Sequence, residues 1–221
     1  MTGLADIERP EPRWPVVIAA FSAVALHFTL PQQLRMGPPG ALAVIVGILV
    51  LAAHLARSRG MHRANDALGY GVLVVLTNGL VFGVGALVQA LLTHSEQAPA
   101  LLKAASVLWA TNVIVFASWY WRLDAGGPNK RERQAAHTEG AFLFAQMTVP
   151  SPNADDLTIA EHEGWRPHFV DYLFVAFNTS TAFSATDAPV LSKWAKIAMM
   201  LQAIISFTTV VLIAARAVNI L

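Results

Sequence analysis

The sequence predicts an all-α, polytopic helical membrane bundle: four N-terminal spans, a C-terminal segment that spans or re-enters the bilayer, and a final transmembrane helix. Three observations carry this prediction. The 221 residues are 55% hydrophobic and only 13% charged, with a mean hydropathy of +0.51, which is too apolar for an ordinary soluble domain of this length. Apolar runs recur near the length of about 20 residues that a helix needs to cross the hydrocarbon core. The charges collect in short clusters between these runs instead of along one extended face.

The chain reads as one integral membrane domain over 1–221. Residues 1–13 mix acids and bases, and no small-residue cleavage site follows the first apolar run. They are therefore expected to stay as a cytoplasmic tail and not to act as a signal peptide. Residues 14–121 hold four apolar runs, at 14–30, 41–56, 67–93 and 101–121; the first two are short and the third is long enough to tilt. In the third run Thr77, Asn78 and Gln89 accompany Gly79, Gly83 and Gly85, a small-residue patch that lets another helix approach. In the fourth, Thr111 and Asn112 must face a partner helix or a wet cavity, with packing the expected use. Trp119, Tyr120 and Trp121, followed by Arg122 and Asp124, read as an interfacial aromatic belt. Anchoring accounts for the rings and leaves the acid unexplained.

Residues 122–167 form a hydrophilic loop carrying GGPNKRER, VPSPN and DDLTIAEHE, an irregular and solvated composition. Within it GAFLFAQM is too short to span. It is expected to pack under the bundle as a buried cap or to lie as an interfacial helix. His137, His162 and His168, with Glu161 and Glu163, lack metal-ligand spacing and read as solvated loop residues, and His27 and His54 as interfacial ones.

Residues 168–221 form a pore-loop-like hairpin. Asp171 follows Pro167 as a helix-start carboxylate. A polar run then joins Asn178 and Ser180 to the candidate ion path, Thr179, Thr181, Ser184, Thr186 and Asp187, whose oxygens suit hard cations. Helix-start chemistry by Asp187 with Ser192 is the competing use. In the last helix Gln202, Ser206, Thr209 and Arg216 recur at spacings of four, three and seven, which places them on one face. The first three continue the path or exchange hydrogen bonds with a neighbouring helix.

The excess of Lys and Arg sets the expected orientation. Arg9, Arg13, Arg57, Arg59, Arg63, Arg122, Lys130, Arg131 and Arg133 fall inside, and only Arg35 and Lys103 outside. The N-terminus is then cytoplasmic. A fifth segment at 169–185 that crosses gives six spans with both ends inside; one that dips gives five, with the C-terminus outside.

Several functions are disfavoured. A net charge of +1 supplies no field for nucleic acid. With no cysteine, disulfides, thiolate metal sites and cysteine nucleophiles are excluded. No Ser-His-Asp arrangement or phosphate-cradling loop is present, so neither an enzyme nor a cofactor is expected.

Two segments together, ASWYWRLDAGGP and DYLFVAFNTSTAFSATDAPVLSKWAKIAMMLQAIISF, resemble an uncharacterised family of bacterial multi-pass membrane proteins. The motif positions are Trp119, Tyr120, Trp121, Asp124, Gly126, Gly127 and Pro128, then Ala182, Phe183, Ser184, Thr186 and Asp187. The resemblance covers about half the chain and implies a membrane location without an activity. The second segment is also similar to the pore region of tetrameric potassium channels. Asp171, Tyr172 and Phe177 match the pore helix, Thr179 and Thr181 the filter threonines, and Asp187 the acid after the filter. Ser184 and Thr186 stand where that filter has glycines, so the carbonyl cage of a potassium-selective filter is not expected. A channel entering from the outside also conflicts with the charge rule, which brings this unit in from the cytoplasm.

The sequence thus supports three readings: a non-selective cation-channel-like protein working as a homo-oligomer, a small-solute transporter within one chain, and a structural or accessory protein partnered by the lipid bilayer.

Overall fold

The computed structural model describes residues 11–93, 97–133, 137, 140–148, 166–181 and 188–218. Seven helices follow in order: α1 (Trp14–Thr29), α2 (Ala41–Ser58), α3 (His62–Thr93), α4 (Ala98–Leu123), the single turn α5 (Pro128–Arg131), α6 (Phe169–Thr181) and α7 (Lys193–Val218). Among the described residues there is no strand, only one antiparallel bridge between Phe142 and Val190. Four helices, α2, α3, α4 and α7, are long and apolar enough to cross a membrane, and α1 is a shorter apolar helix.

Local chemistry sets the boundaries. Leu30 is extended before Pro31, where the proline ring disfavours helical backbone, and α1 stops. Arg35 folds back to donate to the carbonyls of Leu30 and Phe28, both at 2.7 Å. Gly60 at φ +72° ends the turn after α2, and α3 begins two residues later. The charged stretch RSRGMHRAND at 57–66, between the second and third apolar runs, is therefore mostly helix. Asn65 holds it, donating from Nδ2 to the Ala53 carbonyl of α2 at 2.8 Å.

The fourth helix is the centre of the molecule, packed by α1, α3, α6 and α7, while α2 lies outside against α3 and α1. Along its most apolar stretch α4 is 56% buried, against 17% for α2 and for α7. Apolar side chains left outside, such as Ile48 on α2 and Ile204 on α7, are the surface expected to meet lipid. Gly79 faces Leu42 and Gly83 faces Leu108, so the third run's glycines admit neighbours on two sides.

One end of the bundle gathers the start of α1, the end of α2, the start of α3 and the end of α4, tied by Arg13–Glu132, Arg57–Glu132 and Arg122–Asp66 contacts. Both C-terminal helices start at this same basic end. Tyr172 on α6 reaches Asp124, and Trp194 on α7 meets Phe142. Deeper in, Gln202 meets Ala176 and Ser180, and Ser206 meets Ser180. Helices α6 and α7 thus run side by side in one direction, antiparallel to α4. The hydrogen bonds Leu143 N–H to Pro189 O and Leu191 N–H to Ala141 O, 2.9 and 2.8 Å, fix the chain at the basic end again before α7.

Candidate functional site

Gln202 and Ser206 of the polar stripe of α7 are taken up by neighbouring helices. Gln202, Ser206 and Thr209 are fully buried. Gln202 Nε2 donates to the Ala176 carbonyl at 2.7 Å and to Ser180 Oγ at 2.8 Å, and its Oε1 accepts from Tyr120 at 2.5 Å. Ser206 donates to the Ser180 carbonyl at 2.8 Å, and Thr209 to the Ser206 carbonyl of its own helix at 2.8 Å. From α4, Asn112 donates to the Gln202 carbonyl at 3.1 Å. Of the other candidate ion-path residues, Thr179 is buried and bonded to the Val175 carbonyl, and Thr181 is exposed and bonded to the Phe177 carbonyl. Ser184, Thr186 and Asp187 lie outside the described residues. The structure therefore brings Gln202 and Ser206 together around Ser180 and leaves Thr181 facing outward. Asp171 accepts the His168 N–H, and Ser192 the Ala195 N–H, as helix-start residues do.

A second polar cluster, at the basic end, is built on Trp121. The guanidinium carbons of Arg13, Arg122 and Arg131 stand 5.4, 5.5 and 5.5 Å from its ring centroid, within cation–π reach. Its indole N–H donates to Glu11 at 2.5 Å. Arg131 holds both oxygens of Glu11, at 2.8 and 3.0 Å, and donates to the carbonyls of Trp121 and Asp124, both at 2.7 Å. Beneath this lies Asp124, fully buried. It accepts the Tyr172 hydroxyl at 2.6 Å and the Ala141 N–H, while His137 Nε2 stands 3.0 Å away.

Two expectations change here, and for a third the structure selects one of the two alternatives. Tyr120 and Trp121 are core residues and not an interfacial belt, because Tyr120 packs on Gln202 of α7 and on Phe142 after α5, and Trp121 is enclosed by Glu11, Arg13 and Arg131. His137 is buried against Asp124, not solvated. The GAFLFAQM segment packs as a cap, with Phe142 fully buried among Tyr120, Tyr172 and Trp194, and is extended before a single 3₁₀ turn at Ala145–Met147. The double glycine after Asp124 makes this possible: Gly127 sits at φ +90°, and a Cβ there would lie 2.8 Å from the Arg122 carbonyl.

A crevice of about 800 Å³ between α1, α2, α3 and α4 has no counterpart in the sequence expectations. Its walls are apolar, with Ala20, Val50, Leu51, Val72, Leu73 and Leu76, and its basic end carries Arg13, Arg57 and Arg122 beside Glu11, His54 and Asn65. Gly69 lets Arg122 lie across α3 toward Asp66, since a Cβ at that position would overlap the guanidinium. Arg13 and Arg57 share one carboxylate oxygen, Glu132 Oε1, at 3.0 Å each. Arg13 also donates to Asn129 Oδ1 at 3.1 Å. Arg13 Nε and Nη1 and Arg57 Nη1 are buried without an acceptor among the described residues. Burial, reinforced by the neighbouring Arg57, lowers the Arg13 pKa to about 10, and Glu132 opposes the shift. A partly buried cation whose buried donors are unused is the arrangement that a bound anion relieves. The sequence signal for it was the Arg13, Arg57 and Arg122 set, which charge counting had assigned to topology alone.

Among the described residues no group of three or more His, Asp or Glu side chains is placed to hold a metal ion. The fold and these sites define a helical protein of membrane type with an amphipathic crevice at one end. In comparison with known proteins the chain matches no family model, no curated protein and no solved structure.

Proposed function

We propose that this protein is a multi-pass membrane protein of the solute-binding kind, taking a lipid-like amphiphile from the bilayer into the crevice between α1, α2, α3 and α4. The crevice itself carries the reading: about 800 Å³ with apolar walls and a cluster of arginines at one end only, a size and lining typical of ligand sites. The basic end is the cytoplasmic one by the charge rule. Helix α6, 13 residues long, extends about 20 Å against a hydrocarbon core of about 30 Å. It dips in from the cytoplasmic side, and the chain crosses five times.

Gly47 lines the crevice on α2, and a Cβ there meets nothing within 4 Å. Gly47→Phe starts from an unobstructed Cβ and adds a ring at the crevice wall. Lipid retained through detergent purification, counted by native mass spectrometry, is expected to fall to background in Gly47→Phe while the helical circular dichroism is kept. Equal retention in both proteins overturns the reading.

A second reading, a cation path at Thr181, Ser184, Thr186 and Asp187 on an axis between copies, is supported by α6 and α7 starting from the same end with residues 182–187 between them, the order of a pore loop. It predicts potassium, sodium or calcium flux in liposomes that Asp187→Asn alters. No flux from folded, oriented protein removes it.

A further inference from the structure

We propose that the basic end of the crevice is a phosphate site, and that the amphiphile is an anionic phospholipid whose phosphate sits between Arg13 and Arg57. This rests on the crevice accepting an amphiphile, and adds the chemistry of its head.

Uncommitted donors carry the assignment. The carboxylates described around these arginines are already engaged: Glu11 by Arg131 and Trp121, Asp66 by Arg122 and Asn129, and Glu132 by Arg13 and Arg57 together. Two guanidinium groups thus share one carboxylate, leaving a local excess of one positive charge. Three of their N–H-bearing nitrogens, Arg13 Nε and Nη1 and Arg57 Nη1, are buried with no acceptor among the described residues. Each such group carries a desolvation cost until an acceptor arrives. Donors spread over two guanidinium planes call for several oxygens at tetrahedral spacing, which a phosphate offers and a single carboxylate does not. The apolar walls continue directly from these arginines, so the phosphate belongs to a molecule with acyl chains. A zwitterionic head is disfavoured because its ammonium group finds no uncommitted carboxylate among the described residues of the crevice.

The test compares delipidated full-length protein with three probes: phosphatidylglycerol, phosphatidylcholine of the same chains, and inorganic phosphate. Saturable binding of phosphatidylglycerol about ten-fold or more tighter than phosphatidylcholine is expected, because the choline ammonium meets the excess positive charge of Arg13 and Arg57 with no carboxylate to offset it. The Arg13→Gln/Arg57→Gln variant is expected to erase that preference while still binding both lipids weakly. Glu132→Gln separates binding from support: it removes the competing carboxylate and is expected to tighten phosphatidylglycerol, whereas a purely structural Glu132 predicts weakening.

Equal affinity for the two lipids, both lost in Gly47→Phe, overturns the assignment of an anionic phospholipid head and leaves the crevice reading intact. Binding of neither lipid, or binding indifferent to Gly47→Phe, overturns both. Inorganic phosphate that binds as tightly as phosphatidylglycerol and displaces it makes the site one for free anion and overturns the lipid assignment. An unchanged melting temperature in the double arginine variant shows that a lost preference is not lost folding; should that variant fail to fold, the Glu132→Gln result decides.

Discussion

Replacing Gln202 by Leu tests whether the stripe of α7 is glue or conduit. The side chain is fully buried and makes three hydrogen bonds, two donated to α6 and one accepted from Tyr120 on α4. Side-chain hydrogen bonds between membrane helices average about 0.6 kcal/mol each, so the three together contribute about 2 kcal/mol. Leucine nearly conserves the volume but leaves the Tyr120 hydroxyl buried without an acceptor, which adds about 1 kcal/mol. The expected loss is about 3 kcal/mol, measured as reversible unfolding in mixed micelles. Tyr120→Phe alone should cost about 1 kcal/mol, and should regain about 1 kcal/mol in the Gln202→Leu background, because it removes the hydroxyl left there without an acceptor. A loss below about 0.5 kcal/mol, with no coupling to Tyr120, refutes the packing account. Altered ion flux with unchanged stability would move Gln202 back into a conduction path.

Other substitutions probe the basic end. Gly127→Ala places a Cβ at φ +90° and 2.8 Å from the Arg122 carbonyl; a cost of about 2–4 kcal/mol is expected, seen as a lower unfolding midpoint. Asp124→Asn keeps the shape but cannot accept from Tyr172 and Ala141 as both carboxylate oxygens do; about 2–4 kcal/mol should be lost, more than in Tyr172→Phe, with faster proteolysis of the chain after α5. Gly69→Val drives the Arg122 guanidinium off α3 and away from Asp66. It should cost about 1–3 kcal/mol, while the smaller Gly69→Ser costs less; equal effects in the same unfolding assay would show that Arg122 relocates freely.

The long helices were legible because a membrane span must be apolar almost throughout, and α2, α3, α4 and α7 are. Boundaries were less so. The start of α3 at His62 was hidden because RSRGMHRAND looks like any charged connection, and only the Asn65 bond to α2 shows why it is helical. The use of Gln202 and Ser206 was half legible: spacing placed them on one face, but not which helix that face meets. The role of Asp124 could not be read at all. Its partners, Ala141, Tyr172 and His137, come from segments 13 to 48 residues away, and no local pattern announces such pairings. The crevice was invisible for the same reason, since its arginines arrive from the start of α1, the end of α2 and the end of α4.

The parallel course of α6 and α7 has a consequence for biogenesis. Gln202 and Ser206 find partners mainly on α6, through Ala176 and Ser180, with Tyr120 and Asn112 on α4 completing the set. Were α7 to leave the insertion machinery alone, it would carry these groups into hydrocarbon unpaired, at a cost of several kcal/mol for each unsatisfied group. The last fifty residues are therefore expected to enter the bilayer as one unit, docking on an α4 already in place. Truncation before α7 should then leave an α6 that slips back to the membrane surface, where added labelling sites would find it.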